Sequence, residues 1–333
     1  MSRIRYPRVR LGACVAAVST LLLASQTLAQ EPIPVRLAYV TQTTHSFGAG
    51  ARAFIEKLSE LTGDRYKVQE FPAGALGGER ENIEQLQIGA LEASVTTSGV
   101  LANFVPALGV VDVPFLFRDF DHAHAVLDGE IGDELIRKLE PIGIMGLGWG
   151  ESGFRQLYNN LRSVKSPQDL QGIKIRTMEV QEHILAFQAL GAKPTAIAFP
   201  EVFTALQQGT VDAAEGPAQT MLSNKFYEVQ KYLSFTNHLY AGSMFLMSKN
   251  FFDRLPAEDQ AAFRTAAKFA SDAQREFVIN GEEEVVRKLK ALGVVVNRDV
   301  DTSAFDEALK PAYEKYAEKF GADVLARIKN VKP

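Results

Sequence analysis

The sequence predicts an α/β fold of two hinged lobes, with one long helix spanning both. Three observations carry that expectation. Strand-like and helix-like segments alternate along the chain, which is the signature of layered α/β domains. The alternation starts afresh near residue 172, as if a second unit followed the first. Near the C-terminus, a helical pattern runs on for longer than one lobe is wide.

Val35–Val40 is an apolar run that reads as a first strand, followed by the polar turn 41–46. Phe47, Ala51, Phe54, Leu58 and Leu61 then recur at three- and four-residue steps, which predicts a helix stopped by Gly63. Tyr66–Phe71 reads as a strand ended by Pro72, and Gly77-Gly78 opens a helix carrying Ile83, Leu86 and Leu91. Leu91–Thr96, Val110–Val113 and the Gly-rich Gly143–Trp149 read as further strands, with a helix over Phe120–Leu139. The second unit repeats the scheme. It has strands at Gly172–Met178, Pro194–Phe199 and Val211–Ala214, and helices at Glu179–Leu190 and Glu201–Gly209. This order predicts mostly parallel strands. From Pro256 to Leu292 only Gly281 interrupts a segment about 50 Å long at helical rise. It is either one helix lying across both lobes or two helices bent at Gly281.

A length of 333 residues suits about two domains, and 46% apolar with 23% charged residues is ordinary globular composition. The first residues look like an address. Arg3, Arg5, Arg8 and Arg10 precede a charge-free stretch, Leu11 to Gln30, that ends in Thr27-Leu28-Ala29. This is the pattern of a secretory signal over residues 1–29, cleaved near Ala29, and it points to the periplasm. Cys14 stands before most of the apolar run, not after it, so it does not make a lipoprotein box. Cleavage would leave 32 basic against 40 acidic residues, a net charge of −8, and no cysteine. Nothing in that balance invites nucleic acid, and a monomer is expected.

Signatures of catalysis are incomplete. Gly150-Glu151-Ser152-Gly153-Phe154 lacks the final glycine of a nucleophile elbow, and none of the five histidines forms an HExxH pair. Gly48-Ala49-Gly50-Ala51-Arg52-Ala53 resembles a dinucleotide fingerprint, with Glu70 twenty residues beyond Gly50. Seven residues separate it from the end of the first strand, however, and a dinucleotide fold needs its glycines at that end. Small residues packing a helix against a sheet explain the same letters. No enzyme activity, cofactor or metal is expected. Arg176, by contrast, falls at the carboxyl end of a strand, where open α/β sheets hold ligands, and a guanidinium there can grip a carboxylate through two parallel bonds.

A succession of motifs sharpens this reading. Leu76-Gly77-Gly78-Glu79, Val113-Pro114-Phe115-Leu116-Phe117, Gly172-Ile173-Lys174-Ile175-Arg176 and Leu190-Gly191-Ala192-Lys193-Pro194 occur in order. They are followed by residues 199–209, by Val211-Asp212 and by residues 227–232. This succession resembles the DctP-type substrate-binding proteins of TRAP transporters. The resemblance implies a two-lobed periplasmic binding protein, class II-like, that hands a small organic acid to a membrane permease of two subunits. It implies lobe I at 30–152 plus 241–280 and lobe II at 153–240 plus 281–333. Arg176 matches the family's carboxylate-binding arginine, Arg155 its frequent second arginine, and Phe199 the aromatic beside the ligand. Glu79, Thr41 and Thr97 fall where the first lobe lines the cleft, with Glu215, Trp149 and Tyr240 as further pocket candidates. Where many relatives carry Asn after the matching glutamate, this chain has Gly216. Uronates and other sugar acids, dicarboxylates, keto acids and aromatic acids all suit such a clamp.

Overall fold

The computed structural model describes residues 1–3 and 31–332. The export signal, Cys14 and the cleavage point at Ala29 therefore lie outside the described residues. From Pro32 onward the chain forms a unit built on one nine-stranded mixed sheet. The strands are β1 Ile33–Ala38, β2 Tyr66–Phe71, β3 Ala93–Thr97, β4 Ile144–Asn159, β5 Lys174–Thr177, β6 Lys193–Ala196, β7 Ala213–Gly216, β8 Tyr232–Ser248 and β9 Val295–Asn297. Their order is β2-β1-β3-β8-β4-β7-β5-β6, with β9 paired to β8.

Each flank of this sheet is parallel, as the alternation predicts: β2-β1-β3 on one side and β7-β5-β6 on the other. The centre is not. β4 and β8, 16 and 17 residues long, pair antiparallel with each other and with their neighbours β7 and β3. At about 3.3 Å per residue each is some 50 Å long, enough to run through both halves of the molecule. Only the first part of β4 is legible as an apolar run. Beyond it come Glu151, Ser152, Arg155 and Gln156, and β8 carries Ser234, Thr236, His238 and Ser243, all of them buried. Strands whose buried faces are polar do not announce themselves by hydrophobicity. The β4–β8 register slips at three places, one of them between Glu151 and Gly153, and Gly153 takes φ +105°, a region that favours glycine.

Other expectations are corrected locally. Val110–Val113 is not a strand. Val110–Asp112 belong to the 3₁₀ segment Pro106–Asp112, which Val113 caps, since a short apolar run fits a buried turn as well as a strand. The helix expected over Phe120–Leu139 is two, Phe120–Leu127 and Glu130–Arg137, separated at Asp128-Gly129. The long helix is a single one, Ala257–Ala291, continuous through Gly281. Phe263, Ala266, Ala267 and Ala270 from its first half join a core with Phe54 and Phe245. Val285, Val286 and Leu289 from its second half join another with Val202, Leu206 and Val211. The helix thus ties together two separate cores.

The glycines of the dinucleotide-like string are packing residues. A Cβ on Gly50 would come within 2.7 Å of the Gln274 side chain on the long helix, and one on Gly48 would collide with the Thr43 carbonyl. Glu70 accepts a hydrogen bond from the Tyr39 hydroxyl at 2.6 Å. Glu151, Ser152 and Gly153 lie within β4, not at the strand-to-helix elbow that a nucleophile motif needs.

Candidate functional site

The carboxyl ends of β1, β3, β5 and β7 converge on one cavity, the position at which open α/β sheets place ligands. Thr41 stands beyond the end of β1, Thr97 ends β3, and Glu79 is the first residue of the helix Glu79–Gln87. Across from them stand Arg155 on β4, Arg176 on β5, Glu215 and Gly216 on β7, and Phe199 in the turn after β6.

Arg176 lines the cavity from β5. Its side chain shares a face of β5 with exposed Lys174, yet Arg176 itself is only 3% exposed. The Nε–H donates to the Ile197 carbonyl at 2.9 Å, and the guanidinium carbon lies 5.8 Å from the centre of the Phe199 ring. These contacts fix the plane of the fork. Among the described residues, no carboxylate comes within ion-pair distance of it. Burial, reinforced by the like charge of Arg155, lowers its pKa against the pull of Glu215 and Glu79. A buried cation without a counter-ion is costly unless an anion joins it.

Arg155, in contrast, is already matched. Its Nε–H and Nη2–H bond both carboxylate oxygens of Glu215, the latter at 2.7 Å, and Nη2 also donates to the Glu215 carbonyl at 3.0 Å. His238 Nε2 and His183 Nδ1 stand 3.4 and 3.7 Å from the same carboxylate. Burial alone would raise the Glu215 carboxyl, but Arg155 and the two imidazoles outweigh it and hold it well below the usual carboxylate range. The pair is closed on itself and, among the described residues, leaves Arg155 Nη1 as its unused donor.

The opposite wall is rich in oxygen. Glu79 accepts from the Thr97 backbone N–H at 2.8 Å and from the Thr97 hydroxyl at 2.7 Å, yet burial raises its pKa in spite of both bonds. The buried Thr41 hydroxyl has no hydrogen-bond partner among the described residues. So one uncompensated cation faces a carboxyl group and hydroxyls across the cavity.

Seven of the nine expected residues line this cavity: Thr41, Glu79, Thr97, Arg155, Arg176, Phe199 and Glu215. Trp149 and Tyr240 do not. The Trp149 indole N–H donates to the Gly132 carbonyl, and its ring belongs to the core. The Tyr240 hydroxyl donates to Glu151, its ring set edge-on to Phe117 and Phe154. Both sit on the long central strands but face away from the cleft. The sequence reading missed Phe47, Ser152, Met178 and Thr220, which also line it, together with Val40, Val100, Glu179 and Pro217. Ser152 and Thr220 carry no signal until the course of β4 and the helix Ala218–Ser223 is known.

Thr220 also meets His45. The His45 Nδ1 accepts from the Phe47 N–H, capping the helix Ser46–Thr62, so Nε2 carries the proton and donates to Thr220 Oγ1 at 3.0 Å. Burial pushes the His45 pKa down to about 3 from 6.5. Between those values only the unfolded chain binds the proton, so this contribution is complete above pH 6.5 and declines as pH falls. At pH 5 about 2 kcal/mol of it has been lost. His45→Gln is expected to lose less stability than the native chain between pH 7 and pH 5, as read from urea midpoints; equal losses would contradict the assignment.

The family model described as bacterial extracellular solute-binding protein, family 7, matches residues 37–319. The 2,3-diketo-L-gulonate-binding periplasmic protein of Escherichia coli is 37% identical, covering 95% of both chains. Among solved structures, a TRAP periplasmic solute-binding protein of Polaromonas, bound to D-erythronate, is similar with a TM-score of 0.89 and 42% identity, over 90% of this chain and 99% of that one. A sugar-acid-binding protein of Advenella mimigardefordensis, in complex with galactonate, has a TM-score of 0.87 at 34% identity, over 90% and 97%.

Proposed function

The chain belongs to the DctP-type solute-binding proteins of TRAP transporters, family 7 of the bacterial extracellular solute-binding proteins, and we propose that it captures a hydroxylated monocarboxylate between its lobes. One observation carries the choice of guest: Arg176 is a buried fork without a counter-ion, while Glu79 occupies the far wall. A single carboxylate satisfies Arg176, with Arg155 Nη1 in reach of a second guest oxygen. The other end of a dicarboxylate would meet Glu79, whereas hydroxyls there find an acceptor in Glu79 and a partner in Thr41. Phe199 flanks the guest, and Thr97 holds Glu79 in place. The acids bound by the relatives named above, 2,3-diketo-L-gulonate, D-erythronate and galactonate, are of this class.

The lobes divide at 30–152 plus 241–280 and 153–240 plus 281–333. This is supported by the pairing of Gly153 with Ala241, next to a register slip and a glycine at positive φ, which is a natural place for two long strands to bend. Closure over the guest then presents a shape that the TRAP permease subunits distinguish. The receptor acts in the periplasm as a monomer after cleavage near Ala29, without cofactor or metal.

A thermal-shift panel of D-erythronate, D-galactonate and succinate tests the reading. Stabilisation follows the logarithm of ligand excess, about 2.7 kcal/mol at a hundred times Kd. Shifts from the two hydroxy acids and none from succinate are expected; a response to succinate alone, or to no acid, overturns it.

A further inference from the structure

We propose that the Tyr158 hydroxyl, admitted by the bare Cα of Gly216, reads an oxygen on the guest carbon next to the carboxylate, so that the site selects 2-oxygenated acids. The antiparallel pairing of β4 and β7 sets Gln156 opposite Gly216 and Tyr158 opposite Ala214. Tyr158 is therefore the diagonal neighbour of Gly216 on the same face, within reach for a long side chain. A Cβ on Gly216 would stand 2.8 Å from the Tyr158 hydroxyl oxygen and 3.8 Å from Arg155 Nη2. The phenol thus occupies the place that any side chain at 216 would claim, behind Gly216, which itself lines the cavity, and beside Arg155.

The rest of the tyrosine is anchored. It is 1% exposed, its ring belongs to the core with Val202 and Leu206, and Phe226 lies 6.0 Å away, centre to centre. Its hydroxyl, however, takes part in none of the hydrogen bonds found among the described residues, the nearby Arg155 and Gln156 donors being spent on Glu215 and Asn237. Buried tyrosine hydroxyls usually find a partner, and leaving one without is costly. Burial first, then the charge of Glu215, pushes its pKa up, while Arg155 and Arg176 pull the other way. The phenol therefore stays neutral and offers both a donor and an acceptor.

The inference rests on the acid-binding reading above, and its test separates the two. Calorimetric titration compares D-erythronate with its 2-deoxy counterpart on the native chain and on Tyr158→Phe, which keeps the ring and removes one oxygen. The native chain is expected to prefer D-erythronate about tenfold, and the variant to lose that preference while binding the deoxy acid as before. Gly216→Ala, whose Cβ displaces the phenol, is expected to lose the same preference. A Tyr158→Phe chain that still prefers D-erythronate as the native chain does overturns the role of Tyr158 and leaves the acid-binding reading standing. A native chain that binds neither acid overturns both.

Discussion

Arg176→Met is expected to abolish acid capture while leaving the ligand-free protein at least as stable as the native chain. The two halves of this prediction have one cause. In the absence of guest the guanidinium is a buried cation whose Nε–H alone is engaged, by the Ile197 carbonyl, so an apolar side chain of similar length removes a desolvation cost. In its presence the fork supplies charge-assisted bonds of about 1.5–3 kcal/mol each, and losing two weakens binding on the order of a thousandfold. Arg176→Lys keeps the charge but not the planar pair of donors, so a loss of about a hundredfold is expected. Melting curves with and without D-erythronate check both. A variant that melts lower without acid, or that still responds to it, contradicts the assignment.

The second large effect concerns the ion pair beside the cavity. Glu215→Gln is expected to destabilise the fold by about 3–5 kcal/mol, because it leaves Arg155 charged, buried and unmatched. Replacing both partners by apolar residues should recover much of that loss. The same pair sets an acid limit. Glu215 has its pKa depressed in the fold, so its contribution is whole above the unfolded value near 4.5 and is lost as pH falls toward the folded one. Urea midpoints of the native chain, of Glu215→Gln and of the double replacement at pH 7 decide the first point. A loss below about 1 kcal/mol for Glu215→Gln would show that the pair does not fasten β4 to β7.

These two arginines also show how far the sequence could be read. Arg176 was legible because a strand of alternating faces ends on it, and because the motif around it is shared by a family. That Arg155 would be bound to Glu215 was not legible: the two lie 60 residues apart, and only the β4–β7 pairing brings them together. Trp149 and Tyr240 were misplaced for a related reason. Which face a strand residue takes depends on register, and β4 slips register against β8 on either side of Trp149. The flanking parallel strands were found by their apolar runs. The central pair was largely hidden, because its buried faces carry the polar groups of the cleft and its surroundings. The long helix was readable in extent, but its continuity through Gly281 needed the structure, since an interior glycine costs a helix only about 1 kcal/mol.

A crystal structure of the chain with D-erythronate measures the central claim directly. Both carboxylate oxygens are expected about 2.7–2.9 Å from the terminal nitrogens of Arg176, with the hydroxylated end toward Glu79 and Thr41. A carboxylate held elsewhere in the cleft, with the Arg176 fork bonded only to protein or solvent, would contradict it.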